Sequence, residues 1–221
     1  MSDASYVRLI DARKTYLRGP RRVTALESIT CSVFPGDRIA VLGPSGSGKS
    51  TLLHLLGGVD SPSEGVAQWP TFGPRDGLRP RFVSYVFQTK SLVDSLTAEE
   101  NVALPLVLMG MTQSEAQAIA EAALASFGLE EVAQKLPEEL SGGQAQRVAV
   151  ARAVAARPRL ILADEPTGQL DHPTAGRLFD ALFAALDGTD TALVVATHDA
   201  AIATRMARRW AMHYGMMEVL S

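Results

Sequence analysis

One cysteine, Cys31, stands in the 221 residues, so no internal disulfide can form. It lies within Ile29-Thr30-Cys31-Ser32-Val33, where a buried strand residue is expected rather than a reactive thiol. No apolar run approaches the roughly 18 residues that span a bilayer. Met1 to Asp11 is polar and mixed, which predicts no N-terminal signal segment. Charge of one sign is scarce: 21 basic against 24 acidic residues give a net of -3, which argues against nucleic acid as the main partner. Internal repeats and low-complexity tracts are also missing. These absences predict a reducing, cytoplasmic setting. The length predicts one large domain or a core with a subdomain. With 47% apolar residues, the chain has enough material for an ordinary globular core.

Residues 6–41 are β-rich, with turns at Gly19-Pro20 and Pro35-Gly36. Residues 60–82 are dense in proline and glycine and carry Arg75, Arg79 and Arg81. The apolar run Phe82 to Phe87 predicts a strand ending at Gln88. From about 97 to 156 the pattern turns helical. Thr97-Ala98-Glu99-Glu100 and Thr112-Gln113-Ser114-Glu115 both match a capping box. The second of these helices is predicted to run to Phe127 and stop at Gly128. Ser141 is the expected N-cap of a third, which reaches Ala156 before Pro158. Two strands then return, Arg159 to Ala163 and Thr191 to Ala196, around a helix near Thr174 to Leu186. Strands alternating with helices imply an α/β fold with a largely parallel sheet and a helical subdomain inserted between strands.

The chemistry concentrates at strand ends. Gly43-Pro44-Ser45-Gly46-Ser47-Gly48-Lys49-Ser50 fits the loop that wraps a nucleoside triphosphate. It follows the apolar run Asp37 to Leu42 and precedes a helical stretch that ends at Gly57-Gly58, the context this motif requires. Glycines let backbone N–H groups turn toward an anion, and the helix start adds positive partial charge. Lys49 is expected on the β- and γ-phosphates, and Ser50 on Mg²⁺. Leu160 to Ala163 leads into Asp164 and Glu165. Asp164 is the candidate Mg²⁺ ligand, and Glu165 the residue that positions and polarises the attacking water. Alternation along a strand predicts that their side chains point to opposite sides. Ala192 to Thr197 ends at His198, the candidate to stabilise charge at the γ-phosphate. Gln88, also at a strand end, can touch Mg²⁺ or the attacking water. Ser141-Gly142-Gly143 opens a helix and forms a second anion site.

Together these residues resemble the ATP-binding cassette ATPases from about Val7 to Glu218. Gly43–Ser50 resembles the Walker A loop, with Thr51 following it. Gln88 resembles the Q-loop, Leu140–Gln144 the signature, Leu160–Asp164 the Walker B strand, Glu165 the catalytic carboxylate and His198 the switch histidine. Gln169-Leu170-Asp171 resembles the D-loop, which adds Asp171 to the nucleotide-binding candidates. Tyr16 falls where the family stacks an aromatic on adenine. The resemblance implies a P-loop core with a mainly parallel sheet, an N-terminal antiparallel β subdomain and an inserted α-helical signature subdomain. It implies one nucleotide-binding domain over 1–221, its core at about 1–88 and 157–221 and its helical part at about 89–156. It also implies ATP and Mg²⁺, and a head-to-tail pair of cassettes with ATP between one Walker A loop and the other signature, including Gln144.

Strings such as Leu56-Gly57-Gly58-Val59-Asp60-Ser61-Pro62 and Glu100-Asn101-Val102-Ala103-Leu104-Pro105-Leu106 are similar to the lipoprotein-release and macrolide-export subfamily, which works with FtsX-like permeases. The subunit is then expected at the cytoplasmic face of the membrane, bound peripherally to a separate permease, with no nucleic acid partner. A regulatory ATPase controlling a membrane partner, such as a cell-wall hydrolase activator, is the alternative; a soluble non-transport ATPase is a further one. The chain departs from the subfamily by a shortened, Pro/Arg-rich stretch between Gly65 and Gln88. It also departs at Lys90, where an aromatic is usual, at Asp94, where proline is usual, and at Gln169, where Asn is common.

Overall fold

The structure, a computed structural model, describes residues 5–88 and 91–220. Lys90, one of the subfamily departures, lies outside the described residues. The described residues form two sheets. A three-stranded antiparallel sheet has the order β2-β1-β4, from β1 (Val7–Arg18), β2 (Arg21–Val33) and β4 (Glu64–Gln68). A six-stranded sheet has the order β5-β6-β7-β3-β8-β9, from β3 (Arg38–Leu42), β5 (Val83–Val86), β6 (Leu160–Asp164), β7 (Ala192–Ala196), β8 (Arg208–His213) and β9 (Met216–Leu220). Its first five strands are parallel, and β9 folds back antiparallel on β8.

Every residue of β6 and β7 is buried. Their unbroken apolar runs are what a parallel strand covered on both faces requires. One face of the sheet meets α1 (Lys49–Leu56) and the antiparallel sheet, with Leu52, Leu55, Ile39, Val194 and Trp210 in one apolar cluster. The other face meets α5 (His172–Leu186) and shares a second cluster with α2 (Ala98–Leu108), α3 (Gln113–Ser126) and α4 (Gly142–Ala155). The helical segment between β5 and β6 therefore packs into the same core as the sheet. A short α6 (Ala200–Thr204) follows β7.

Two reciprocal caps form as the sequence predicts, Thr97 with Glu100 and Thr112 with Glu115; Ser141, expected as an N-cap, also pairs reciprocally with Gln144. The α5 helix starts at His172, ahead of the expected Thr174, because the Asp171 carboxylate accepts from Thr174 N–H at 2.7 Å and caps it. The strand predicted over Phe82 to Phe87 is shorter, Val83–Val86, so Gln88 lies two residues past its end. The β4 strand and the β8–β9 hairpin are additions to the predicted elements. β4 is an exposed edge strand with little apolar content, so it carries no burial signal.

Candidate active site

Parallel pairing brings the carboxyl ends of four strands into line. Val86 pairs with Ala163, Asp164 with Ala196, and Val41 with Ala196. Asp164 is the last residue of β6, and Gly43, Glu165, His198 and Gln88 follow these ends, at the edge where open α/β sheets bind ligands.

The glycine-rich loop at 43–48 is closely backed by other strands. A side chain on Gly43 would run into the Met212 carbonyl of β8. One on Gly48, whose φ is 106°, would meet the Ala25 carbonyl and the Leu26 side chain of β2. Only glycine combines that backbone with that clearance. The loop's outer turn is held by the β8–β9 hairpin, where Gly215 N–H donates to the Ser47 carbonyl at 3.0 Å.

Lys49 is buried and donates to the Gly43 carbonyl at 2.7 Å and the Pro44 carbonyl at 3.2 Å. Its Nζ stands 4.0 Å from Oε1 of Glu165. The other Glu165 oxygen, Oε2, lies 2.8 Å from Nδ1 of His198. Lys49, Glu165 and His198 thus form one chain of polar contacts. Exposure changes sharply along it: the Glu165 side chain is 10% exposed and that of His198 76%. Glu165 sits just past β6 with φ 47°, and its N–H donates to the Ala196 carbonyl of β7 at 2.9 Å. This left-handed residue lies just past the end of β6, so strand alternation does not govern the direction of the Glu165 side chain.

Asp164 is buried, and its Oδ1 has no hydrogen-bond partner. A buried carboxylate oxygen is expensive to leave unpaired, and a hard cation is a fitting partner. Among the described residues no group of three or more His, Cys, Asp or Glu side chains could hold a metal ion. A cation here would therefore draw other oxygens from Ser50, at the start of α1, and from phosphate. Pro44, Ser45 and Gly46 form the exposed rim of the loop, Ser47 is buried with its Oγ unpartnered, and Thr51 continues the first turn of α1. Gln88 is exposed.

The remaining candidates lie elsewhere. Ser141 and Gln144 spend their side chains on each other's backbone, with Ser141 N–H to Gln144 Oε1 at 2.8 Å and Gln144 N–H to Ser141 Oγ at 3.2 Å. The groups packed against Gly142 and Gly143 are Gln169 and Leu170, not the phosphate loop. Asp171 caps α5, and the Thr174 contacts hold its carboxyl below the usual range. Tyr16, on β1, donates its hydroxyl to Asp60 Oδ2 at 3.0 Å, with Lys14 Nζ 5.0 Å from the ring centroid. Burial, helped by the nearby Asp60 carboxylate, raises the Tyr16 hydroxyl above its usual range. Sequence reasoning passed over Lys14 and Asp60. The signal for Lys14 was its spacing of two from Tyr16, which places both on one face of a strand.

Residues 26–168 match the family model for ABC transporters. The chain belongs to that family. It is 43% identical over 211 residues to the "Lipoprotein-releasing system ATP-binding protein LolD" of Legionella pneumophila (strain Paris), an alignment covering 92% of this chain and 93% of that one. It is 42% identical over 216 residues to the protein of the same name from Nitrobacter hamburgensis, covering 95% and 93%. Among solved structures it resembles the dimeric bacterial ABC transporter cassette MJ0796, with a TM-score of 0.89, 36% identity and coverage of 97% of this chain and 99% of that one. The same figures hold for MJ0796 in a post-hydrolysis dimer bound to ADP and Pi. The chain is thus an ABC transporter ATPase, which binds and hydrolyses ATP. No helix among the described residues is long and apolar enough to cross a membrane.

Proposed function

We propose that this ABC cassette works as one half of a head-to-tail pair, hydrolysing Mg²⁺-ATP to drive a separate membrane permease. The observation that carries this reading is the Lys49–Glu165–His198 chain at the sheet edge. A second anion-binding helix start, Ser141–Gly143, packs against Gln169 and Leu170 of the same chain. Each chain then offers a phosphate loop to one nucleotide and a signature helix to another, and a second copy completes both sites with Ser141, Gly142, Gly143, Gln144 and Asp171 at the junction.

Within a site the backbone of residues 43–51 cradles the phosphates. Lys49 exchanges the Gly43 and Pro44 carbonyls for β- and γ-phosphate oxygens. Ser50, Asp164 and Gln88 would hold Mg²⁺, which when bound neutralises charge between the phosphates. Glu165 orients and polarises the attacking water. His198 holds Glu165 through Nδ1, which leaves its Nε2 to meet the γ-phosphate. Tyr16 receives the adenine by stacking.

The likeness to lipoprotein-releasing ATP-binding proteins supports a permease of that kind, and the subfamily strings support the FtsX-like type. In this reading the cassette is peripheral, at the cytoplasmic face of the membrane. Residues 1–221 act as one nucleotide-binding domain, and 89–156 as its helical subdomain. Glu165→Gln tests the mechanism. Phosphate release should fall about 10²- to 10⁴-fold, while ATP binding persists and ATP holds the protein as a dimer in size exclusion with light scattering. Normal turnover by a monomer would overturn the reading.

A further inference from the structure

The P-loop helix is tied to the base-binding side of the site through its far end. After α1 the chain turns through Gly57-Gly58-Val59-Asp60-Ser61. Two arginines of the Pro/Arg-rich stretch clasp that turn. Arg79 Nη1 donates to the Gly57 carbonyl at 2.7 Å, and Arg75 donates from Nε to the Gly58 carbonyl at 2.7 Å and from Nη2 to the Val59 carbonyl at 3.1 Å. The clasp fixes Asp60 relative to α1. Asp60 then spends both oxygens on β1: Oδ1 accepts from Lys14 Nζ at 2.6 Å, and Oδ2 accepts from the Tyr16 hydroxyl at 3.0 Å. Lys14 also donates to the Ser61 carbonyl at 2.8 Å and lies over the Tyr16 ring. The Thr51 hydroxyl, in the first turn of α1, is a further hydrogen-bond partner of the Tyr16 side chain.

We infer that Asp60, with Lys14, is a positioning residue for nucleotide-base recognition: it locks the Tyr16 ring so that the base stacks on a preformed surface. This rests on the proposal that Tyr16 stacks the base. A ring anchored at its hydroxyl loses no side-chain freedom when the base arrives, and that saved ordering cost appears as affinity. Lys14 occupies one face of the ring through a cation–π contact, which directs the base to the other. Burial pushes the Asp60 carboxyl up, but the Lys14 ammonium, the Ser61 N–H and the Tyr16 hydroxyl together bring it below its usual range. It is therefore a charged acceptor at neutral pH. The arginine clasp gives the Pro/Arg-rich stretch a role in the same device.

The test uses the full chain with ATP and with inorganic tripolyphosphate, which has the phosphates but no base. Asp60→Asn and Tyr16→Phe should each raise the KM for ATP about fivefold, by more than either lowers kcat. The double variant should be no worse than the single ones, and tripolyphosphate should compete as in the parent. An unchanged KM in Asp60→Asn, additive effects, or an equal weakening of tripolyphosphate would overturn the inference. Should Asp60→Asn not fold, Lys14→Met tests the same device: a raised KM for ATP with tripolyphosphate unaffected supports it, and a parental KM overturns it. Tyr16→Ala separates the two levels. If it leaves the KM for ATP unchanged, the stacking proposal itself fails; if it raises the KM while Asp60→Asn does not, only the positioning role fails.

Discussion

Glu165 and Tyr214 share a left-handed backbone, with φ of 47° and 48°, and little else. Such a conformation is costly for a residue with a Cβ. At Glu165 it is imposed by the hydrogen bond to Ala196 and aims a buried carboxylate at Lys49 and His198. Tyr214 is 92% exposed in the tight turn between β8 and β9, a place that Asn or Asp before Gly normally fills. Tyr214→Asn should therefore stabilise the protein by about 1 kcal/mol, raising Tm by about 2–4 °C with ATPase activity kept; thermal unfolding followed by circular dichroism checks this. The place of Asp164 and Glu165 at a buried strand end was legible in the apolar run before them. The turn at Glu165 was not, because a partner strand thirty residues away creates it.

At the scale of elements, local signals were the most legible. The capping boxes at Thr97, Thr112 and Ser141 each satisfy N–H groups within one turn, so a few neighbouring residues specify them. The β6 and β7 strands show as apolar runs because the helices cover both faces. The β8–β9 hairpin lacked a conventional turn pair, which hid it. Asn101 illustrates a tie that no local rule reveals. Fully buried on α2, it accepts from Val93 N–H at 2.8 Å and donates to the carbonyls of Val93, Leu96 and Thr97, pinning residues 93–97 to the helix. The part-buried Arg152 also reaches it, at 3.4 Å. Asn101→Ala would strip the partner from the Val93 N–H and the Leu96 carbonyl and should cost about 2–4 kcal/mol, read as a lower urea midpoint with an unchanged slope.

For the whole molecule, the α/β class and the parallel sheet followed from the order of motifs, whereas the strand order did not. Nothing in the sequence announces that β3 lies between β7 and β8, since such pairings join distant residues. The proposed permease partnership also belongs to this scale. Gently solubilised membranes from the native cell should yield this chain together with a multispanning permease, identified by mass spectrometry. Recovery with ribosomes or DNA instead would refute the membrane assignment and leave the ATPase intact.

The position of β3 has a consequence for synthesis. The phosphate loop leaves the ribosome within the first quarter of the chain. Both hydrogen-bonding neighbours of its strand come later, from residues 192–213, and the turn that braces Ser47 comes from Gly215. Contacts of such wide separation form slowly. A nascent chain that has grown as far as α4 carries residues 43–50 with neither flank of β3 in place. With ATP seated there as proposed, it has no pocket to template during translation and can reward only the finished fold.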